Sequence, residues 1–291
     1  MKPPKFKYWK PTSVDETVRF LEQNADQTKI LAGGQSLMPV ISMRLARPDY
    51  LVDINGLTEL DYIRPDGDRM HVGALTRQNT LMRSADVQRL CPMVSKALPY
   101  IGHTAIRHRG TIGGSIVHAD PSAELPAVAT ALDAEMVVTG PNGSRAIPAS
   151  EFFLTFFMTA MEPDEMLTEV VFPVQEEGSG SGVLELARRH GDFAVDGVAV
   201  AVTPNGGGIG SARVCAFGVD DVPRRIDEAE SLLSGQRPTA DLLSEAGAAT
   251  ARNLEPESDM HASGEYRREM AGVLTARALT EALADASIDL A

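Results

Sequence analysis

The chain has 291 residues, 43% of them hydrophobic and 23% charged, a balance that describes a folded globular chain of one large domain or two. Its 27 basic and 40 acidic residues leave a net charge of -13, which repels a polyphosphate backbone and argues against a nucleic-acid partner. No apolar run approaches the roughly 18 residues that a membrane span takes, so no span is expected.

Two cysteines, Cys91 and Cys215, lie far apart in sequence, so neither a disulfide framework nor a Cys-x-x-Cys site is available. An iron-sulfur cluster takes about four such ligands, more than this chain holds. Met1 to Pro11 contain four lysines and three prolines without an apolar stretch, unlike a secretory signal, and a cytoplasmic location is expected. Residues 1–50 hold eight basic against five acidic residues although the whole chain is acidic. This start reads as a strand with lysines outward and Phe6 and Tyr8 inward, or as a docking edge for a partner subunit.

Ser13-Val14-Asp15-Glu16 has the form of a capping box, and Val14, Val18 and Leu21 follow at helical spacing, so a helix is expected from about 13 to 24. Lys29 to Ala32 reads as a short strand ended by Gly33-Gly34, and Leu37 to Leu45 as a helix with Pro39 in its first turn. Tyr50 to Ile54 is a buried strand closed by Asn55-Gly56, completing a small βαβ-type unit. Beyond residue 60, Met70 to Gly73, Glu135 to Thr139 and Met166 to Phe172 read as strands, and Asp120 to Leu132 as a helix opening on Asp-Pro. Pro173 to Gly182, rich in Gly, Ser and Glu, marks a domain boundary or a hairpin loop. Val183 to Arg188, Gly197 to Thr203 and Ser211 to Gly218 follow as strands, and then two or three helices. In the last of these, Met270, Leu274 and Ala278, with Val273 beside them, define one apolar face.

Two glycine loops carry the chemistry. Ala32-Gly33-Gly34-Gln35-Ser36 lies between a strand and a helix, where main-chain amides are free and glycine lets the backbone approach an anion. Thr111-Ile112-Gly113-Gly114-Ser115 repeats the pattern of a glycine pair framed by hydroxyl residues. Two such loops, one per candidate subdomain, suit a dinucleotide pyrophosphate lying between them. The other nucleotide signatures fail: Gly206 to Ser211 lacks the third glycine of a dinucleotide fingerprint, and no Gly-x4-Gly-Lys-Ser/Thr is present.

These loops, together with HADPSAELP at 118–126 and RRHGDFA at 188–194, resemble the FAD-binding medium subunit of the molybdenum hydroxylases, the xanthine dehydrogenase and carbon monoxide dehydrogenase family. The resemblance runs the length of the chain. It implies an α+β fold: a two-part FAD-binding domain of the vanillyl-alcohol-oxidase type over 1–176, with subdomains at about 1–57 and 58–176, then a smaller α+β domain over 183–291. It also implies a complex of (αβγ)2 type, in which a large subunit holds molybdopterin, a small subunit holds the [2Fe-2S] clusters and this chain holds FAD. Electrons would pass from the clusters through FAD to a terminal acceptor, a relay that flavin suits because it exchanges them one or two at a time.

Carried over by position, Ala32, Gly33, Gly34, Gln35 and Ser36, with Thr111, Ile112, Gly113, Gly114 and Ser115, would bind the pyrophosphate through backbone amides. Ile101 would touch the flavin or ribityl region, Glu124 would hydrogen-bond the cofactor, and Leu167 would pack on the adenine or serve as a core residue of its strand. Glu185 stands near the flavin where several relatives carry lysine, which puts a cationic contact in doubt and leaves Arg188 or Arg189 to compensate. Gln35 stands where some members have histidine, and neither cysteine falls in a flavin loop, so FAD is expected to be held without a covalent bond. No catalytic or metal-ligating residue is expected: His103, His108 and His118 lack zinc-ligand spacing, and Asp192 and Asp196 read as turn residues. The alternatives are a stand-alone FAD-dependent oxidoreductase of the same superfamily and an interaction protein that merely retains the fold.

Overall fold

The structure is a computed structural model that describes residues 2–291; Met1, at the head of the lysine-rich start, lies outside the described residues. Strands Lys7–Trp9, Tyr50–Asp53 and Thr28–Leu31 form a parallel sheet in that spatial order. Parallel neighbours require crossovers, and helix Val14–Asn24 supplies one. Its start is capped by Ser13 Oγ, which accepts from the Glu16 amide at 3.1 Å. The Glu16 carboxylate reaches back to the amide and hydroxyl of Thr12, at 2.6 and 2.8 Å, one residue earlier than in a strict capping box. Val18 and Leu21 of this helix pack with Val52, Ile54 and Leu57 into a small core.

The first strand differs from its expected pattern. Tyr8 is 57% exposed, and Trp9 turns inward against the Phe20 ring. The Tyr8 hydroxyl donates to the Asp53 carboxylate, which holds the ring along the sheet edge with its polar tip near water.

A five-stranded antiparallel sheet follows, ordered Ile63–Asp66, Arg69–Gly73, Met166–Pro173, Glu135–Gly140, Gly143–Pro148. Its central strand is the last in sequence, so the sheet closes only after the helices between residues 78 and 131 have been laid down. Helix Glu124–Ala131 starts later than the expected Asp120, because the Asp120 carboxylate accepts the Ser122 amide at 2.9 Å and sets a turn first. All eight of its residues are buried.

Strands Gly180–Leu186, Asp196–Asn205, Gly208–Phe217 and Arg224–Arg225 make a four-stranded antiparallel meander, packed by helices Asp227–Leu233, Ala240–Arg252 and Gly264–Asp285. Asp196 thus opens a strand and is not a turn residue. The end of the Gly/Ser-rich stretch is also strand. A Cβ on Gly180 would lie 1.9 Å from the Ala282 carbonyl oxygen, and one on Gly182 2.1 Å from that of Ala278, so these glycines admit the last helix onto the sheet. Of the expected face, Leu274 and Ala278 are buried, joined by Ala271 and Ala282, whereas Met270 is half-buried and Val273 is exposed. The meander docks on the preceding domain through Tyr100, whose hydroxyl donates to Val183 O at 3.1 Å, and Lys96, whose ammonium meets Ser181 O at 2.6 Å and Asp285 at 2.8 Å.

Gly182→Ala is expected to destabilise the protein by about 1–3 kcal/mol, the usual cost of overpacking a closed contact. Urea denaturation reads this as a lower midpoint, and an unchanged midpoint would contradict the backbone contact.

Candidate cofactor-binding site

The loop Ala32–Ser36 leaves strand Thr28–Leu31 and enters helix Leu37–Ser42 with Gly34 in the left-handed region at φ 71°. The second loop enters helix Ile112–His118, where the Thr111 hydroxyl caps the helix by accepting from the Gly114 amide at 3.0 Å. The two loops touch. A Cβ on Gly33 would stand 2.5 Å from Arg109 O and 2.8 Å from Gly110 Cα, so only glycine permits this approach. Gly113 answers to a different neighbour: its missing Cβ admits Ala74, at the end of strand Arg69–Gly73.

The main-chain donors divide unequally between the loops. Among the described residues, the amides of Gly33, Gly34, Gln35 and Ser36 make no hydrogen bond. In the second loop, Ile112 N donates to Thr76 O and Gly113 N to Ala74 O, both at 3.0 Å, and Ser115 N donates to Thr111 O at 3.2 Å. The loops thus differ: the amides of residues 112–115 are engaged in seating their helix, whereas those of 33–36 are not. The Gln35 side chain bonds within its own loop, donating to Gly33 O at 2.9 Å.

Two residues not anticipated from the sequence join the loops. Asn55 Nδ2 donates to Ala32 O at 2.8 Å and to Asp53 Oδ1 at 2.6 Å. Arg77 donates from one guanidinium nitrogen to Asn55 Oδ1 at 2.6 Å and from the other to Arg109 O at 2.5 Å. The Asn55-Gly56 turn was a visible signal for the first, whereas Arg77 left none.

Glu124 and Glu185 meet across the domain junction, carboxyl to carboxyl. Glu124 is 8% exposed, and one carboxylate oxygen of Glu185 is buried without a partner. Burial pushes the Glu124 carboxyl up to about 7, and burial with the facing Glu124 pushes Glu185 up to about 8. Asp120 adds to the rise at Glu124, and burial, then Glu281 and Glu185, raise the nearby Tyr100. Arg188 and Arg189 are exposed in the turn beyond and form no ion pair among the described residues. Ile101 and Leu167 both pack into the main core, at 9% and 5% exposure, with Leu167 beside a register shift of its strand. Arg107 fixes the turn at Ile101 by donating to the carbonyls of Ile101 and Gly102 at 2.7 and 2.9 Å.

Because both carboxyls titrate higher folded than unfolded, the stability they contribute is complete below the unfolded range near 4.3 and is lost as pH rises through about 7 to 8. Glu185→Gln should flatten that decline when melting temperature is followed from pH 5 to 9. An unchanged slope would contradict the pairing.

Residues 4–175 match the family described as the FAD binding domain in molybdopterin dehydrogenase, and residues 183–282 match the CO dehydrogenase flavoprotein C-terminal domain. The chain is 39% identical to the 6-hydroxypseudooxynicotine dehydrogenase complex subunit alpha of Paenarthrobacter nicotinovorans, over 97% of this chain and 96% of that one. It is 37% identical to the carbon monoxide dehydrogenase medium chain of Hydrogenophaga pseudoflava, over 98% and 99%. The solved carbon monoxide dehydrogenase of that organism, in a form lacking the Mo-pyranopterin moiety, superposes with a TM-score of 0.96 at 38% identity, covering 98% of this chain and 99% of that one. Quinoline 2-oxidoreductase from Pseudomonas putida 86 gives 0.94 at 32%, covering 98% and 99%. With matches of this extent over both domains, the chain belongs to the FAD-binding flavoprotein subunits of the molybdopterin dehydrogenases.

Proposed function

We propose that this subunit receives electrons from [2Fe-2S] clusters on a small partner, while a large molybdopterin partner oxidises the substrate, and passes them to a terminal acceptor. The assembly is read as a heterotrimer dimerised into an (αβγ)2 hexamer in the cytoplasm. Relatives named as medium chains or subunits of carbon monoxide, caffeine and glyceraldehyde dehydrogenases support a role inside a complex. Among the described residues no helix is long and apolar enough to cross a membrane.

The observation that carries the reading is the contact of the two glycine loops at Gly33 and Arg109–Gly110, with four unbonded amides on one side of it. A pyrophosphate fits this donor set: the amides of Gly33 to Ser36 would hold its oxygens, and the Ser36 hydroxyl would add a donor. On the second loop, Thr111 to Ser115 would form the opposite wall, presenting the exposed Gly114 and the half-buried Ser115. Ile101 and Leu167 would place apolar surface along the cofactor, and Glu124 would hydrogen-bond it. Glu185, facing Glu124, would hold a proton where several relatives carry a lysine. FAD, when bound, supplies an acceptor that exchanges one or two electrons.

FAD is expected to be non-covalent, so acid precipitation should release all the yellow colour into the supernatant. Gly33→Asp should yield protein without FAD, because the new side chain meets Arg109 O and its charge repels the pyrophosphate. Protein of this variant that purifies with full FAD would contradict the loop assignment. In reconstitution, substrate should bleach the 450 nm flavin band only when the iron-sulfur and molybdenum subunits are present. Bleaching with the purified chain alone would instead favour a stand-alone oxidoreductase.

A further inference from the structure

We propose that Arg77 is a positioning residue for the cofactor, a clasp that sets the distance between the two glycine loops through its two guanidinium nitrogens. The proposal rests on the reading of those loops as a pyrophosphate cradle. Loop Ala32–Ser36 hangs from the parallel sheet, whereas the second loop opens a helix that packs against the five-stranded sheet, so the loops belong to separate layers. The close approach at Gly33 is a steric contact; it limits how near the loops come and does not prevent their separation. Arg77 supplies the tether.

One guanidinium nitrogen holds Arg109 O at 2.5 Å, directly before Gly110, and the other holds Asn55 Oδ1 at 2.6 Å. Asn55 is itself fixed, because its amide nitrogen donates to Ala32 O at 2.8 Å and to Asp53 Oδ1 at 2.6 Å. The Asp53 carboxylate also takes the Tyr8 hydroxyl from the first strand. A continuous hydrogen-bonded path therefore runs from the first residue of one loop to the approach of the other, and Arg77 is the member that crosses the gap.

The backbone beside Arg77 is held as well. It faces Thr111 in an isolated antiparallel bridge, with Gln78 N donating to Gly110 O and Ile112 N to Thr76 O, both at 3.0 Å. The base of the guanidinium is thus anchored to the second loop, and its fork reaches toward the first. A lysine in this place retains the charge but loses the planar fork needed to grip two acceptors at fixed angles. The charges acting on Arg77 are the attractive Asp61 and Asp53 and the repulsive Arg109, so a purely electrostatic contribution to anion binding is the competing explanation.

FAD binding to the cofactor-stripped full chain, followed by flavin fluorescence quenching, separates the two. The clasp predicts that Arg77→Met and Arg77→Lys both weaken FAD affinity by roughly tenfold to a hundredfold, as expected for lost charge-assisted bonds. Asn55→Ala should give a loss of similar size, and the Asn55→Ala/Arg77→Met double variant should lose little more than either single one. Full affinity in Arg77→Lys would overturn the clasp in favour of charge alone, and additive losses in the double variant would overturn the shared path. Melting temperatures of the stripped variants identify any that fail to fold; should Arg77→Met do so, Arg77→Lys and Asn55→Ala carry the test. Wild-type protein that binds no FAD would defeat the cradle reading itself, whereas wild-type binding with unchanged Arg77 variants would defeat only the clasp.

Discussion

The approach of Gly33 to the Arg109–Gly110 backbone is the constraint on which the candidate site depends. A Cβ at residue 33 would sit 2.5 Å from a carbonyl oxygen, well inside van der Waals contact, so any other residue forces the loops apart. Their meeting joins a parallel sheet to an antiparallel one and leaves the amides of residues 33–36 without partners at the seam. Unsatisfied main-chain donors at a helix start are favourable only near water or an anion. The same geometry that would weaken a purely structural loop leaves this one four donors that an anion could take.

The second domain is held together by a comparable use of small residues. Gly180 and Gly182 let the backbone of helix Gly264–Asp285 rest on the first strand of the meander, and the alanines of that helix complete the fit. Close packing of this kind is intolerant of added volume. Further along the same strand, Glu185 faces Glu124 of the first domain, where burial disfavours a second negative charge. Burial raises both carboxyls, and no cation is among the groups acting on the pair.

Local signals in the sequence identified most elements. The glycine pairs, the cap at Ser13 and the alternation of apolar residues in the strands depend on neighbours within a few positions, and the structure keeps those elements with shifts of a few residues at their ends. The face of the last helix was read in part, with Leu274 and Ala278 buried and Val273 exposed, because periodicity reports which positions are apolar, not how close the helix lies to its sheet. The internal engagement of the second loop's amides was illegible for a related reason. Whether the amides of Ile112 and Gly113 are free depends on the carbonyls of Thr76 and Ala74, which arrive from another strand end. The Asn55-Gly56 turn was visible but its link to Arg77 was not, since an arginine 22 residues beyond an asparagine signals nothing until the fold brings them together. The family resemblance bridged part of this gap and agrees with matches over both domains, but it carries no information on the facing carboxyls, which arise from Glu185 in this chain.

Amide hydrogen exchange with and without FAD tests the central claim most directly, because the two loops differ in donor accounting before any ligand binds. If residues 33–36 supply the cradle, their amides exchange rapidly in the stripped protein and gain strong protection on FAD addition, while those of 112–115, already bonded, change little. Protection appearing at 112–115 with none at 33–36 would contradict the account and place the pyrophosphate elsewhere.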